Sequence, residues 1–357
     1  MSTEPLGDTP TEDPIRYFLD DMQLHGKKQR TCEAYKRVLR QFQQYIGSEE
    51  ISTIAPTSVR EATHRHCMAW VHSLRQSDCA ESTIATYASY VHRFYTYLSH
   101  VGLFDSNPMT LVLEEMNEQI ETNPSRRETS IDTMREFVHS VQHPLSHAII
   151  IILLKSGMRS GELCNLDMRD INLSASETHD TRSIQPRAAL DGRCRSMYVD
   201  TAPTAGQEYN GEIRTASNKR NRPTVIPLDD EAEMALSRWL LIRPDTVSDA
   251  EPLFVSTADQ WGKRLTPHMV HHRVESHAAQ WGWHRLGGDA AENVTPHYFR
   301  HFFTTYLRDR TGDRGVVKYL RGDVGGDIID TYTHNWGNQV REKYLEHIYA
   351  ICTRSSS

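Results

Sequence analysis

The sequence contains no apolar run long enough to span a membrane, and Met1–Pro14 is polar and acidic, which is unlike a signal peptide. We therefore expect a cytoplasmic protein with no membrane partner. A Cys-x-x-Cys pair is also missing from the six scattered cysteines, which argues against a disulfide framework and a cysteine zinc site. His268, His271 and His272 share one predicted helix face, but no carboxylate or cysteine signature accompanies them. That segment predicts a surface helix, and we expect no bound metal.

The sequence also lacks an excess of basic over acidic residues. Lysine and arginine total 40 against 47 for aspartate and glutamate, and the formal net charge is −7. Generic nucleic-acid-binding proteins usually carry a basic excess, so the balance points away from them. Arginines far outnumber lysines, however, and basic residues cluster locally at Lys27, Lys28, Arg30, Lys36, Arg37 and Arg40. A focused arginine-rich patch on an acidic surface still attracts a polyanion.

A chain of 357 residues is long enough for two domains, each with its own core. We predict a disordered acidic leader over 1–13, a helical bundle over 14–115, a polar linker over 116–129 and a second domain over 130–357. In the bundle, apolar residues recur at spacings of three and four over four segments, and the aromatic stripe along them predicts a core.

The second domain combines helices with a few strands. Ala148–Leu154 is almost continuously apolar and predicts a buried helix, which Gly157 closes in a left-handed conformation. The irregular segment 174–210 contains one predicted strand near Met197–Val199, and we assign it no function. Thr215–Leu228 predicts a strand, a polar turn and a second strand, with Lys219 at the hairpin tip. The fold class is therefore mainly α with a small β-sheet.

The stretch Thr295–Tyr332 organises the second domain. Thr295 and Pro296 predict a helix start, and His297 and Arg300 then lie three residues apart on one face of the first turn. Free backbone N–H groups at that end of a helix favour an anion such as phosphate. His-x-x-Arg occurs often by chance, so the motif alone predicts only a solvated helix start.

Further motifs occur in a fixed order around this stretch. Arg159 lies in GMRSGE, Lys219 precedes VIPL, and His297 and Arg300 lie in HYFRH ahead of Tyr332. In this order the chain, from Pro14 to its tail, resembles the tyrosine recombinases of the phage integrase and Xer type. The resemblance implies a helical N-terminal core-binding (SAM-like) domain followed by an α+β catalytic domain.

The resemblance also implies a role for each residue. Arg159 and Arg300 would bind the scissile phosphate, where paired guanidinium donors stabilise transition-state charge. Tyr332 would be the nucleophile, and His297 would remove its proton. Lys219 would protonate the departing 5′ oxygen, and Glu162 would orient the site. The reaction would form a 3′-phosphotyrosyl link and would need no cofactor or metal. The residues expected to contact DNA are Lys27, Lys28, Arg30, Lys36, Arg37, Arg220 and Arg222.

One position departs from the family pattern. The family usually has Leu-Gly-His nine residues before the tyrosine, where this chain has Arg321, Gly322 and Asp323. An ionised carboxylate close to a phosphate is repulsive by roughly a few kcal/mol. Asp323 is either protonated, or orients Arg300 or Arg321, or marks a slow or inactive enzyme. We predict a variant active enzyme.

The expected partner is double-stranded DNA, bound by a tetramer that either contains this chain alone or includes a partner recombinase. The predicted tail helix over 338–351 is amphipathic and suits docking on its own domain or on a neighbouring subunit, and the resemblance implies the neighbour. Two alternatives to site-specific recombination remain at this point. One is the activity of a type IB topoisomerase, and the other is an architectural DNA-binding protein that has lost catalysis.

Overall fold

The computed structural model describes residues 13–48, 54–77, 79–120, 125–174, 184–323 and 336–352, with backbone alone at 336 and 337. The chain divides into two compact units, Met1–Asn123 and Pro124–Ser357. In the described part of the chain, no helix has both the length and the apolar character needed to cross a membrane. All six cysteines are free thiols.

The described residues of the first unit form five helices. These are α1 (Pro14–Leu24), α2 (Gln29–Ile46), α3 (His64–Gln76), α4 (Glu81–His100) and α5 (Thr110–Glu115). The four predicted helices are confirmed and α5 is an addition. The aromatic stripe is a core, as predicted, because Phe18, Phe42, Trp70 and Phe94 are all buried and pack edge to face.

The second unit contains eight helices in its described residues. These are α6 (Ile131–Ser140), α7 (Pro144–Ser156), α8 (Ser160–Cys164), α9 (Asp230–Ile242), α10 (Pro267–Gln280), α11 (Pro296–Thr311), α12 (Arg314–Arg321) and α13 (Trp336–His347). Five short strands accompany them: β1 (Ile171–Asn172), β2 (Ser196–Val199), β3 (Glu208–Tyr209), β4 (Glu212–Ile213) and β5 (Thr224–Pro227). The predicted fold class, mainly α with small sheets, is confirmed.

The sheet differs from the sequence prediction at one point. Strands β1, β2 and β5 form an antiparallel sheet in that order, with Met197 opposite Ile226. Thr215 is not in a strand, so the predicted hairpin around Lys219 is wrong. Met197 and Ile226 are both fully buried, and their burial favours pairing of β5 with the distant β2. Lys219 therefore lies on the loop between β4 and β5.

Helix α7 is the central element of this unit. All the residues of its Ala148–Leu154 run are buried, as an all-round apolar helix requires. Gly157 ends the helix at φ 60°, as predicted, in the left-handed region. A Cβ atom on Gly157 would lie only 2.2 Å from Cδ1 of Phe303, so α11 packs directly against this glycine.

The tail helix α13 docks on its own unit in this structure, whereas the resemblance implied a neighbouring protomer. Val340 and Tyr344 are buried, and the Tyr344 hydroxyl donates to the backbone oxygen of Lys155 over 2.9 Å. Beyond the helix, Tyr349 and Ile351 are also buried in this core. The apolar face of the tail is thus covered within one chain.

Candidate active site

Arg159 begins the site at the end of the central helix. Its backbone N–H donates to Glu162 Oε2 over 3.0 Å, and its Nη1 donates to Glu162 Oε1, also over 3.0 Å. The buried Glu162 carboxylate therefore accepts a backbone N–H at the start of α8 and also orients the Arg159 guanidinium. The Arg159 side chain is 31% exposed. Arg159 Nη1 also donates to the backbone oxygen of Lys219 over 2.9 Å. Glu162 thus supplies the anionic partner that a charged residue at a buried helix end needs.

The loop between β4 and β5 approaches the same carboxylate from the other side. The side chain of Arg220 is fully buried, and its Nη2 lies 3.2 Å from Glu162 Oε2. Its Nη1 donates to the backbone oxygen of Leu320, and the N–H of Asn221 donates to the backbone oxygen of Gly322. These bonds attach the loop to the end of α12.

Arg300 lies on the inner face of α11 and is only 2% exposed. Its Nη1 donates to the backbone oxygen of Gly157 over 2.6 Å, which joins the ends of α7 and α8 to α11. Burial, followed by the charges of Arg321 and Arg159, lowers the pKa of Arg300 to about 10. The guanidinium is therefore still charged at neutral pH.

Asp323 lies where these elements meet. Both of its carboxylate oxygens accept from Arg300 Nη2, over 2.9 and 2.8 Å. Arg159 Nη2 donates to Oδ1 over 3.2 Å, and Arg321 Nη2 lies 2.8 Å from Oδ2. Burial by itself would raise the pKa of Asp323, but Arg300, Arg321 and Arg159 outweigh it and lower the pKa below its ordinary value. These arginines therefore favour an ionised Asp323 in the chain without DNA.

His297 is exposed on the first turn of α11, and its Nε2 lies 3.1 Å from Nε2 of His301. Burial and then the charge of Arg126 lower the pKa of both imidazoles, that of His301 to about 4. Both rings are therefore neutral near pH 7, and His297 has the charge state of a proton acceptor. Thr295 precedes the helix, but its hydroxyl makes no capping hydrogen bond with the described residues.

The structure brings together Arg159, Glu162, Arg300 and Asp323, and it places the backbone of Lys219 against Arg159. The side chain of Lys219 is exposed. Tyr332, expected as the nucleophile, lies outside the described residues.

The expected DNA-contacting residues divide into exposed and buried ones. Five are exposed on α2 and the turn before it: Lys27, Lys28, Arg30, Lys36 and Arg37. Arg222 is partly exposed and lies over the ring of Tyr319. Arg220 is a correction, because its buried guanidinium is occupied by Glu162 and the backbone of α12 and is not presented to DNA.

Sequence reasoning missed His301, which pairs with His297. It gave Arg220 a different role, since Arg220 supports Glu162, and it named Arg321 only as one of two arginines that Asp323 could orient, whereas Arg321 contacts Asp323 directly. A signal was available for Arg321, since a charged residue stands where the family has leucine, two residues before the unexpected aspartate. Among the residues that the structure describes, no group of three or more His, Cys, Asp or Glu side chains is placed to hold a metal.

Comparison with known proteins gives consistent matches. Residues 15–102 match the family described as "Phage integrase, N-terminal SAM-like domain", and residues 207–338 match the "Phage integrase family". The second range includes Lys219, His297, Arg300 and Tyr332, but it begins after Arg159.

Two curated relatives are the tyrosine recombinases XerC of Vibrio vulnificus (strain YJ016) and Pseudomonas syringae pv. tomato. The first is 24% identical over 84% of this chain and 87% of its own length, and the second is 25% identical over 90% and 92%.

The solved structures agree in fold. The Tn1549 transposon integrase in complex with a circular intermediate DNA aligns with a TM-score of 0.61 at 16% identity, over 93% of this chain and 98% of that one. A lambda integrase dimer bound to a COC′ core site aligns with a TM-score of 0.58 at 13% identity, over 92% and 76%. The two family matches, the relatives and the fold lead to one conclusion. The chain belongs to the tyrosine recombinases of the phage integrase family, which are enzymes of site-specific DNA strand exchange.

Proposed function

We propose that this enzyme cleaves and rejoins double-stranded DNA at specific sites through a 3′-phosphotyrosyl link to Tyr332, with Arg159 and Arg300 binding the scissile phosphate. The observation that carries the proposal is that both arginines bind the same anion. Their Nη2 groups both donate to one carboxylate oxygen, Oδ1 of Asp323, over 3.2 and 2.9 Å. Donors that converge on one oxygen anion suit the non-bridging oxygens of a phosphodiester.

The charge of the site supports phosphoryl transfer. Four guanidinium groups, those of Arg159, Arg220, Arg300 and Arg321, surround only two carboxylates, Glu162 and Asp323. The excess of two positive charges matches the double negative charge of a five-coordinate phosphorus transition state. Fixed charges that complement a transition state lower its free energy without reorganisation during the reaction.

The remaining steps are proton transfers. In this proposal His297, neutral near pH 7, accepts the proton of the Tyr332 hydroxyl as it attacks phosphorus. Lys219, whose backbone is held against Arg159, protonates the departing 5′ oxygen. Glu162 orients Arg159. The free 5′ hydroxyl of a partner strand then attacks the phosphotyrosyl link, so the phosphodiester bond energy is retained.

Assembly is a further part of the proposal. The named lambda integrase structure is a dimer on DNA, which supports assembly of this chain on its sites. We propose a tetramer on two duplexes, formed either by this chain alone or with a partner recombinase, in which the tail helix leaves its own unit and docks on a neighbouring protomer. Particle masses on DNA count the protomers, and strand exchange by the purified chain alone tells whether a partner is required. Because DNA is the substrate, a cytoplasmic location also belongs to this proposal.

The test uses suicide DNA substrates, nicked beside candidate sites taken from the neighbourhood of the gene. Wild type should form a covalent protein–DNA complex, and Tyr332→Phe should form none. Tyr198→Phe is the matched control, because it removes the hydroxyl of a partly exposed tyrosine on β2, and it should behave as wild type. A covalent complex with Tyr332→Phe would refute the nucleophile, and specific binding without any covalent complex in wild type would refute the activity.

The type IB topoisomerase and the inactive architectural protein are not favoured. The matched relatives are named as recombinases and the matched solved structures as integrases. Relaxation of supercoiled plasmid without strand exchange would contradict this choice.

A further inference from the structure

The carboxylate of Asp323 lies where three guanidinium groups meet. The Nη2 atoms of Arg300 and Arg321 each lie 2.8 Å from Oδ2, and Arg159 Nη2 lies 3.2 Å from Oδ1. Any anion that takes the place of this carboxylate is therefore within reach of Arg321 as well as of the two arginines already assigned to phosphate.

The other amino groups of the two assigned arginines are engaged by the protein. Arg300 Nη1 donates to the backbone oxygens of Gly157 and Arg321, and Arg159 Nη1 donates to Glu162 and to the backbone of Lys219. These bonds fix both guanidinium planes so that Nη2 is the group directed at Asp323. A phosphate that uses the same two donors has to displace the carboxylate.

Arg321 is held in position independently of the carboxylate. Its Nη1 donates to Thr304 Oγ1 on α11 over 3.2 Å, and its backbone oxygen accepts from Arg300. Its Nε is buried and has no hydrogen-bond partner among the described residues.

Asp323, in contrast, can leave by side-chain rotation alone. The Asp323 side chain is 28% exposed. Its backbone is held in place, because its N–H donates to the backbone oxygen of Lys318 and the preceding Gly322 has a left-handed φ of 71°. A side chain on residue 322 would also collide with Arg220, so the backbone at this corner is closely determined.

We propose that Arg321 is a third phosphate-binding residue, and that Asp323 is an internal anion that occupies the phosphate position until DNA displaces it. This inference rests on the proposed function and deepens it. In the resting enzyme the carboxylate keeps three like charges together and correctly oriented. When DNA enters, the phosphodiester takes over the three Nη2 groups and the carboxylate turns towards solvent.

The direct test measures the affinity of the full chain for inorganic phosphate by phosphorus NMR, which needs no DNA site. Asp323→Asn removes the competing charge at constant shape, and it should bind phosphate about tenfold more tightly than wild type. Adding Arg321→Gln to this variant should abolish most of the gain. Arg314→Gln is the matched control, because it removes an exposed arginine from the same helix, and adding it should leave the gain intact.

Each other result overturns the inference. Unchanged or weaker phosphate binding in Asp323→Asn would show that the carboxylate does not occupy the phosphate position. A gain that survives Arg321→Gln, or that is lost equally with Arg314→Gln, would show that Arg321 does not bind the anion. Arg321→Lys keeps the positive charge but lacks the planar guanidinium with its paired donors. If this variant retains part of the gain in phosphate affinity, the loss caused by Arg321→Gln is not due to unfolding.

A DNA measurement separates this inference from the proposed function. Single-turnover cleavage of the suicide substrate should begin at lower DNA concentration in Asp323→Asn and should be slowed about tenfold or more by Arg321→Gln at saturating DNA. Absence of any covalent complex in wild type, together with the predicted phosphate affinities, would refute strand cleavage while leaving the phosphate site intact.

Discussion

The Arg220 guanidinium lies 3.2 Å from Glu162 Oε2, and neither side chain exposes any surface. The same carboxylate also holds the side chain and the backbone N–H of Arg159. Glu162 is therefore the link between a buried supporting arginine and an arginine of the proposed phosphate site. Its charge matters for both the stability of the unit and the geometry of the site.

Glu162→Gln tests this link. The substitution leaves the buried Arg220 without a counter-charge, which costs about 3 to 5 kcal/mol when one partner of a buried ion pair is lost. Urea unfolding measures the stability, and covalent DNA complex formation should fall with it. Asp309→Asn is the control, since Asp309 Oδ1 also lies close to an arginine Nη2, 2.9 Å from that of Arg308, but both of these side chains are about half exposed. It should cost less than about 1 kcal/mol, and equal costs would contradict the argument.

Gly157→Ala should destabilise the second unit and disturb Arg300. The new Cβ atom would meet the Phe303 ring at 2.2 Å in a left-handed backbone conformation, and the backbone oxygen of Gly157 accepts from Arg300. Strain and overpacking together cost about 2 kcal/mol or more, measurable by urea unfolding. Gly312→Ala is the control at another left-handed helix end, where no atom lies within 4 Å of the new Cβ. It should cost only the backbone strain, about 1 to 2 kcal/mol.

Local sequence patterns predicted much of this site. The helix start at Pro296, the left-handed Gly157 and the adjacent Arg159 follow from short-range rules that hold wherever the segment packs. The apolar run before Gly157 likewise specified a buried helix without reference to any partner.

The parts that sequence could not predict depend on contacts between distant segments. The β5 strand pairs with β2 and not with the residues just before it, because the choice is made by burial of Met197 against Ile226. The sequence places Arg220 in a polar loop and therefore predicts a surface residue. Its burial is favourable because the Glu162 carboxylate lies beside its guanidinium. The charge state of Asp323 likewise depends on three arginines, one of them 164 residues away.

The His297–His301 pair predicts a particular dependence of stability on pH. The pKa of His301 is about 4 in the folded protein, well below the unfolded value of ~6.5. Between these values the unfolded chain binds the extra proton, so the stability that the neutral imidazole confers is present above pH ~6.5 and is lost as pH falls towards 4. His301→Asn should make the decline of the urea midpoint over this range shallower. An unchanged slope would contradict burial of a neutral ring.

The pH dependence of catalysis should reflect the lowered pKa of His297 in the same way. In the proposed mechanism a neutral His297 accepts a proton from Tyr332, and the lowered pKa of His297 extends its neutral form below the ordinary range of histidine. The rate of covalent complex formation should therefore fall with an apparent pKa below the ordinary histidine value of ~6.5. His297→Asn should slow this step by about a hundredfold or more, in the range expected for loss of general base catalysis.

Arg37 should contribute to DNA affinity where its neighbour Arg40 should not. Arg37 is exposed and only weakly bound to the Tyr87 hydroxyl at 3.4 Å, whereas Arg40 is paired with Asp13. Arg37→Gln should reduce the slope of log affinity against log salt concentration by about 1, because one phosphate contact is lost. Arg40→Gln is the charge-matched control and should leave the slope unchanged. Equal losses would indicate a general charge effect.

Deletion of residues from Asn338 onward should first destabilise the chain itself. The tail contributes Val340, Tyr344, Tyr349 and Ile351 to the core of the second unit, and each is at most 1% exposed. Their removal exposes a large apolar surface at about 25 cal/mol for each Å² of it, so thermal unfolding without DNA should occur at much lower temperature. Tyr344→Phe removes only the hydroxyl bond to Lys155 and should cost about 1 kcal/mol. A truncated chain of unchanged stability that fails only to assemble on DNA would instead show that the tail serves a neighbouring protomer.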